Sequence, residues 1–388
     1  MTGMERNKRI RKRIAAVAAM VVVVLVSVVL MQYYLCIPSD FDENRVMMMH
    51  KQPANTIDVL LLGSSATHAD FASAYAYEKY GFTSFPYSID GATCVVWKPS
   101  LQDTLRTQRP KLVVVDVFGG GYDTELMKTR CNQIYIVMTH FPLSSQKIEM
   151  AKEIHRNSEK SSVASLLFPF IRFHTNVPSN LRNLKNRLRM EHAGPSPMRG
   201  IETHTRTRKL ADVDEASFTS DTAELDSNAE RIIREFIDYC RSEDLQVLFV
   251  KYPSVLTTQD EDEMLVNLRA NRILEIAEEN GCYALNMQPL FHEIGLEEHK
   301  DFYNHGHVNI RGQQKITEYL GRYIQDEIGI GPSDLSAEDK ASWDNSVRYF
   351  NALADMAEGL VSKNDDKSLG ETPDAIDMLE KYMKEHDL

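Results

Sequence analysis

Hydrophobic positions along the chain follow three different rhythms. From Ile14 to Leu35 there are 22 uncharged, mostly apolar residues with no polar face. As a helix rising about 1.5 Å per residue, this run would reach roughly 33 Å, enough to cross a bilayer. Beyond it come short apolar runs rich in branched side chains, Ile57–Leu62, Leu112–Val117 and Val247–Val250, which predict buried strands. Amphipathic spacing predicts helices over Arg231–Glu243, Glu263–Asn280 and Ile310–Asp326, the second closed by Asn280-Gly281. Strand alternating with helix predicts an α/β domain over residues 55–330, built on a parallel sheet covered on both faces.

Two stretches break this alternation. More than a hundred residues separate Val117 from Arg231 and include Pro169, Pro178, Pro195 and Pro197. They read as a mostly helical insertion at about 125–228. After Gly331-Pro332 the pattern becomes polar, with helices expected over Ser336–Val361 and Pro373–His386. Residues 332–388 therefore read as a helical, weakly packed tail.

Charge sharpens the outline. The chain has 388 residues, 43% hydrophobic and 26% charged, with a formal net charge of -12. These values exclude collagen-like and wholly disordered classes and disfavour a nucleic-acid partner, whose phosphates require a basic surface. The charge is zoned. Residues 1–13 carry six Lys or Arg against Glu5; residues 182–209 are net +6 and residues 332–388 net -8.

A cleaved signal peptide would have an apolar core of about 7–15 residues ending in a small-x-small site. Here the run ends in Gln32-Tyr33-Tyr34-Leu35-Cys36-Ile37-Pro38. With a basic flank of residues 1–13 before it, the pattern predicts an uncleaved single-pass signal anchor at 14–35, its amino terminus cytoplasmic and the rest extracytoplasmic. The five cysteines, Cys36, Cys94, Cys131, Cys240 and Cys282, form no Cys-x-x-Cys pair, so no metal site or disulfide framework is expected from them. Gly-x-Gly-x-x-Gly after a strand, the Walker pattern and His-Glu-x-x-His are absent from the sequence, which leaves dinucleotide, nucleotide and zinc-protease functions without support.

Candidate chemistry begins where the first expected strand ends, at Leu62-Gly63-Ser64-Ser65-Ala66-Thr67-His68. In a parallel sheet this turn sits at the carboxyl edge, where ligands bind, although Gly and Ser are also ordinary turn and cap residues. A second element, Asp301-Phe302-Tyr303-Asn304-His305-Gly306-His307-Val308-Asn309, precedes the last helix of the domain. A serine needs a base to be nucleophilic at neutral pH, and a histidine placed there can reach the same edge. Taken singly, His305 and His307 read as polar loop residues, or as metal ligands without a third partner, rather than as catalytic groups.

Together the two motifs resemble the SGNH, or GDSL-like, hydrolase superfamily over about residues 55–327, which implies a three-layer flavodoxin-like α/β fold. The amino-terminal anchor, Gly-Ser-Ser in place of Gly-Asp-Ser, Phe170-Ile171-Arg172-Phe173-His174 and Asp-Phe-Tyr-Asn-x-Gly-His-Val-Asn resemble one branch in particular. That branch is membrane-tethered and exported, and works beside membrane-bound O-acyltransferases; it includes the D-alanine transfer protein of lipoteichoic acid synthesis and alginate O-acetylation proteins.

The resemblance implies a nucleophile at Ser65, a general base at His307 and no cofactor. The family's acid position falls on Asn304, which cannot carry charge, so either Asp301 serves as the acid or a Ser/His pair is oriented by an amide. The implied oxyanion donors are the N–H groups of Ser65 and Gly91; the third family block meets Phe118-Gly119-Gly120-Gly121, without its Asn. His174 matches the insertion motif, and the cluster containing Arg182, Lys185, Arg187 and Arg189 is either a solvated face, a lipid-headgroup contact or a groove for an anionic glycopolymer; His174 and Arg182 are the substrate-binding candidates. The implied activity is transfer or hydrolysis of acetyl or D-alanyl groups on a cell-envelope glycan or teichoic-acid-like polymer, with a membrane-bound O-acyltransferase as partner. A noncatalytic accessory subunit of such a complex is the alternative.

Overall fold

A computed structural model describes residues 3–37, 40–123, 125, 127, 132–157, 161–257 and 260–388; Pro38 and Cys131 lie outside them. The chain is built on a five-stranded parallel sheet of β1 (Val59–Gly63), β2 (Ser84–Ser88), β3 (Leu112–Asp116), β5 (Gln246–Lys251) and β6 (Tyr283–Asn286). The two-residue β4 (Thr203–His204) stands outside it. The order is β2-β1-β3-β5-β6, with Val59 beside Ser84 and Leu112, and Leu112 beside Gln246.

Both faces of the sheet are covered, because successive side chains of a strand point to opposite sides. Leu60, Leu62, Val113, Val115, Val247 and Phe249 enter one core with Trp97, Phe236 and Ile273, carried by helices Trp97–Thr104, Ser227–Ser242 and Glu261–Glu279. Val59, Leu61, Leu112, Val114, Leu248 and Val250 enter the other, with Phe71, Phe291, Ile316 and Leu320, the last two from helix Ile310–Tyr323. This accounts for the expected strands and helices within a few residues. The edge strands β2 and β6 carry no clear strand pattern, because Ser-Phe-Pro-Tyr-Ser and Tyr-Ala-Leu-Asn are short and polar or proline-bearing. Pro86 is tolerated because β2 has a neighbour on one side only.

The amino-terminal helix runs over Gly3–Met31 and continues through one wider turn, Gln32–Cys36. The apolar stretch within it is long enough to cross a membrane and is unburied by the rest of the chain. The insertion is mostly helical, with helices Asn132–His140, Ser145–Asn157, Val163–Leu167, Pro169–Phe173 and Val177–His192.

The tail departs from expectation. Helices Ala337–Ser362 and Pro373–Glu385 form as expected, but they are firmly packed. Trp343, Phe350, Leu353, Leu379 and Met383 are buried, and Leu369 of β9 (Ser368–Leu369) pairs antiparallel with Thr203 of β4. β7 (Phe302–Asn304) and β8 (His307–Val308) form a separate small hairpin.

The zoning of charge explains part of the tail's attachment. Arg189 pairs with Asp377, and Arg206 pairs with Asp366 at 2.7 Å, so the acidic tail lies on the basic segment. Inside that contact, Arg199 donates to Gln52 Oε1, Ser342 Oγ and Ser346 Oγ, and its guanidinium lies 4.2 Å from the ring centroid of Trp343. Polar composition masked this packing, because the helices bury one face only. Trp343→Ala is expected to lower the unfolding free energy of the detergent-solubilised chain by about 3–5 kcal/mol. A change within about 0.5 kcal/mol in denaturant titration would show that the tail is loosely attached instead.

Candidate active site

Parallel strands deliver every turn that follows them to one edge, and this is where Ser65, Gly91 and Phe118 converge, after β1, β2 and β3. The turn carrying Ser65 is tightly held. Ser64 donates both its N–H, at 3.1 Å, and its Oγ–H, at 2.6 Å, to Asp116 Oδ2 at the end of β3. Gly63 has a φ of +156, and a Cβ there would come within 2.4 Å of Asp116 Cβ and of Thr67 Oγ1, so no larger residue fits. Ser65 then opens the short helix Ser65–Asp70.

Ser65 Oγ lies 2.6 Å from His307 Nε2, and His307 Nδ1 lies 2.8 Å from Asn304 Oδ1. The amide oxygen of Asn304 can only accept, so Nδ1 carries the ring proton and Nε2 is left free to accept from the serine. Gly306 N–H also donates to Asn304 Oδ1, at 2.9 Å, which fixes the amide's orientation. The sharp β7–β8 hairpin makes this possible by folding Asn304 back beside His307, which pair in its register. Burial pushes the His307 imidazole below its ordinary 6.5, with the Asp90 carboxylate opposing the shift. The base is therefore neutral and ready to accept a proton at physiological pH.

Asp301 is placed elsewhere. Its buried carboxylate accepts from Lys315 Nζ at 2.6 Å and from Glu297 N–H at 2.8 Å, bracing the segment before β7 against helix Ile310–Tyr323. It does not meet His307, so the orienting partner is the neutral amide.

Ser65 and Gly91 both border the cavity in front of the serine, and among the described residues neither backbone N–H has an acceptor in the protein. The glycine turn after β3 is arranged differently from a donor pair. Phe118 N–H donates to Asp116 Oδ1, Gly120 N–H to Val117 O and Gly121 N–H to Phe118 O. Gly119 is needed for close approach, since a Cβ there would come within 2.3 Å of Ala92 O.

In front of Ser65 opens a cavity of about 900 Å³. Its wall includes Phe118, Tyr122, Leu265 and Val266, with Asp123, Glu125, Asp262 and Glu263 among its carboxyl groups. Lys251 also borders it, donating to Asn271 Oδ1 at 2.7 Å, and burial lowers that amine to about 7. His174 and Arg182 do not border the cavity; they sit in the insertion, where helices Pro169–Phe173 and Val177–His192 pack on the end of the amino-terminal helix.

Several groups beside the site escaped the sequence reading. His68, one helical turn after Ser65, donates or accepts at Ser88 Oγ (2.8 Å) through Nδ1 and faces Asp90 Oδ1 (3.3 Å) through Nε2. Burial lowers it to about 3, so it is neutral. Asp90 is held down to about 2, chiefly by that contact with His68. Buried Arg45 faces Asp42 Oδ1 at 2.6 Å and Glu202 Oε2 at 3.5 Å. Asp42, His68 and Asp90 offer ligand atoms within 4.8 Å of one another, but the Arg45 guanidinium already supplies positive charge there. His204 stacks on Tyr303 at 4.1 Å, with its ring 6.1 Å from that of His307. The spacing of His68 after Ser65 and the position of Asp90 before Gly91 were visible signals; Arg45 and Glu202 come from distant segments and had none.

No family model matches the sequence, and no curated protein matches it. Among solved structures, a protein assigned to the lipolytic G-D-S-L family from Desulfitobacterium hafniense DCB-2 is 9% identical with a TM-score of 0.35, over 69% of this chain and 99% of that one. A protein assigned as an acylhydrolase from Bacteroides fragilis NCTC 9343 is 10% identical with a TM-score of 0.36, over 75% and 100%. An acetylxylan esterase from Geobacillus stearothermophilus is 12% identical with a TM-score of 0.37, over 73% and 99%.

In a histidine NMR titration, with His307 assigned through His307→Ala, its midpoint is expected below 6.5. Asn304→Asp should move that midpoint upward, because a carboxylate favours the imidazolium. A wild-type midpoint at or above the ordinary value would contradict the buried, amide-oriented base.

Proposed function

We propose that the chain is a serine acyltransferase or esterase, tethered by its amino-terminal helix with the α/β domain outside the membrane, that moves or removes a small acyl group on a cell-envelope glycan. The observation that carries this reading is the Ser65–His307–Asn304 relay at the carboxyl edge of the sheet, facing a cavity large enough for an ester and part of an acceptor.

The residues allow a balanced two-step reaction. Ser65 Oγ attacks the carbonyl carbon of an O-acyl ester as His307 Nε2 takes the hydroxyl proton. The oxyanion forms beside the N–H groups of Ser65 and Gly91. Collapse breaks the bond to the leaving alcohol, which receives the proton from His307, and leaves acyl-Ser65. A glycan hydroxyl or water then repeats the sequence in reverse, losing its proton to His307 and releasing the serine. Asn304 positions the ring and selects its tautomer, without supplying the negative charge that would stabilise the imidazolium.

The tether supports a membrane-bound O-acyltransferase as the acyl donor, since holding both sites at one membrane raises their effective concentration. The motif resemblance supports acetyl or D-alanyl as the group. The cavity wall carries more carboxyl groups, Asp123, Glu125, Asp262 and Glu263, than cations, Lys251 and Arg269, a balance that favours the aminoacyl group with its ammonium.

The amide at Asn304 favours one second reading, a noncatalytic subunit that keeps the fold and binds glycan or the acyltransferase. Labelling of the full chain by an active-site serine probe, with turnover of a chromogenic acetyl ester, separates the two. The enzyme reading expects labelling in wild type and a loss of at least about 10³-fold in kcat/KM for both Ser65→Ala and His307→Ala. Asn304→Asp should raise kcat at neutral pH by about tenfold or more, as restored charge stabilises the imidazolium. A folded wild-type protein that is neither labelled nor active, alone or with its membrane partner, would leave the binding subunit.

A further inference from the structure

The end of the amino-terminal helix is gripped by the insertion. Asn180 Nδ2 donates to the carbonyl oxygens of Leu35, at 3.0 Å, and Ile37, at 2.6 Å. Asn176 Nδ2 donates to Cys36 O at 3.4 Å, and Phe170 N–H to Gln32 Oε1 at 3.4 Å. Tyr33 donates to Glu191 Oε1 at 2.8 Å, with Arg187 stacked 5.0 Å from its ring centroid. These contacts satisfy carbonyl groups that a helix end otherwise leaves unpaired, and they join helices Pro169–Phe173 and Val177–His192 to the stem.

This collar is also where large apolar side chains are left uncovered. Phe168, Phe170, Ile171, Leu181 and Leu188 are 44%, 40%, 50%, 54% and 37% exposed. Among the described residues outside the amino-terminal helix, ten large hydrophobic side chains are exposed, and half of them are these five. Leu181 and Leu188, seven residues apart, lie on one face of their helix, one position round from the anchor-contacting pair Asn180 and Arg187. Arg182 and Lys185, on the same helix, are exposed and have no ion-pair partner among the described residues.

We propose that this collar is a lipid-binding surface: Phe168, Phe170, Ile171, Leu181 and Leu188 enter the interfacial layer of the bilayer around the anchor, with Arg182 and Lys185 among its headgroups. The inference rests on the reading of the amino-terminal helix as a membrane anchor. Its occupant is lipid because the patch lies on the helices that hold a stem entering the bilayer, and because Phe, Ile and Leu flanked by Lys and Arg suit a headgroup boundary. Tyr33 and Tyr34 mark that boundary on the stem. The apolar side chains of the collar thus continue the apolar surface of the anchor onto the folded domain. A domain held at two places on the membrane cannot swing freely about its tether, so the Ser65 cavity keeps one attitude to the surface.

The test uses the full chain reconstituted in vesicles of phosphatidylcholine and phosphatidylglycerol, with and without bromine on the acyl chains. Tryptophan is introduced singly as Phe170→Trp, Ile171→Trp, Val22→Trp in the anchor, and Tyr283→Trp on the far edge strand. The native Trp97 and Trp343 are each 1% exposed and give a constant background. Brominated lipid is expected to quench the added emission of Phe170→Trp and Ile171→Trp strongly, as it does that of Val22→Trp, and to leave Tyr283→Trp unquenched. Quenching of Val22→Trp alone would overturn the proposal, keep the anchor and leave the collar to a protein partner. No quenching at Val22, Phe170 or Ile171 would overturn both, and equal quenching at Tyr283 would overturn the assignment to this face.

Discussion

Asp116 ends β3 with a buried carboxylate, and the turn that presents Ser65 is built onto it. Both the N–H and the hydroxyl of Ser64 end on Asp116 Oδ2, while Asp116 Oδ1 accepts from Phe118 N–H. One side chain thereby ties together the turns after β1 and β3. The glycine at position 63 follows from the same contact, because any Cβ there collides with Asp116. A buried carboxylate is costly unless its lone pairs are filled, so these three donors stabilise both the acid and the geometry it imposes.

From that anchor point the rest of the site is a matter of reach. Helix Ile310–Tyr323 is braced by the Asp301–Lys315 pair, and the hairpin before it turns His307 toward Ser65. The orienting group is an amide, fixed by the Gly306 N–H, in a neighbourhood where His68 and His204 are also neutral through burial. A site with three uncharged imidazoles and one low-lying carboxylate, Asp90, favours proton acceptance by position more than by electrostatic pull.

The insertion meets both the amino-terminal helix and the acidic tail. The insertion closes around the stem of the amino-terminal helix through Asn176, Asn180 and Tyr33. The acidic tail lies on the basic segment through Arg189, Arg199 and Arg206. Buried Glu371, whose backbone accepts from Asn44 and whose carboxylate accepts from Gly200 N–H, ties the tail to the segment that follows the amino-terminal helix. Opposite zones of charge separated by over a hundred residues thus end in contact.

Local pattern was sufficient for the elements whose stability comes from their own periodicity. The three central strands, the three amphipathic helices, the apolar amino-terminal helix and both tail helices are legible because each buries, or leaves uncovered, a continuous run or face. Ser65 and His307 were legible as a pair, since each follows or precedes such an element. What the tertiary structure decided depends on pairing between distant segments: the edge strands β2 and β6, the choice of Asn304 over Asp301 beside His307, the Arg45–Asp42–Glu202 cluster, and the packing of the tail. His174 and Arg182, substrate-binding candidates by motif resemblance, lie on the part of the insertion packed against the end of the amino-terminal helix and do not border the cavity. Sequence spacing specifies which face of an element a side chain occupies, but which other segment meets that face is set by the packing of the whole chain.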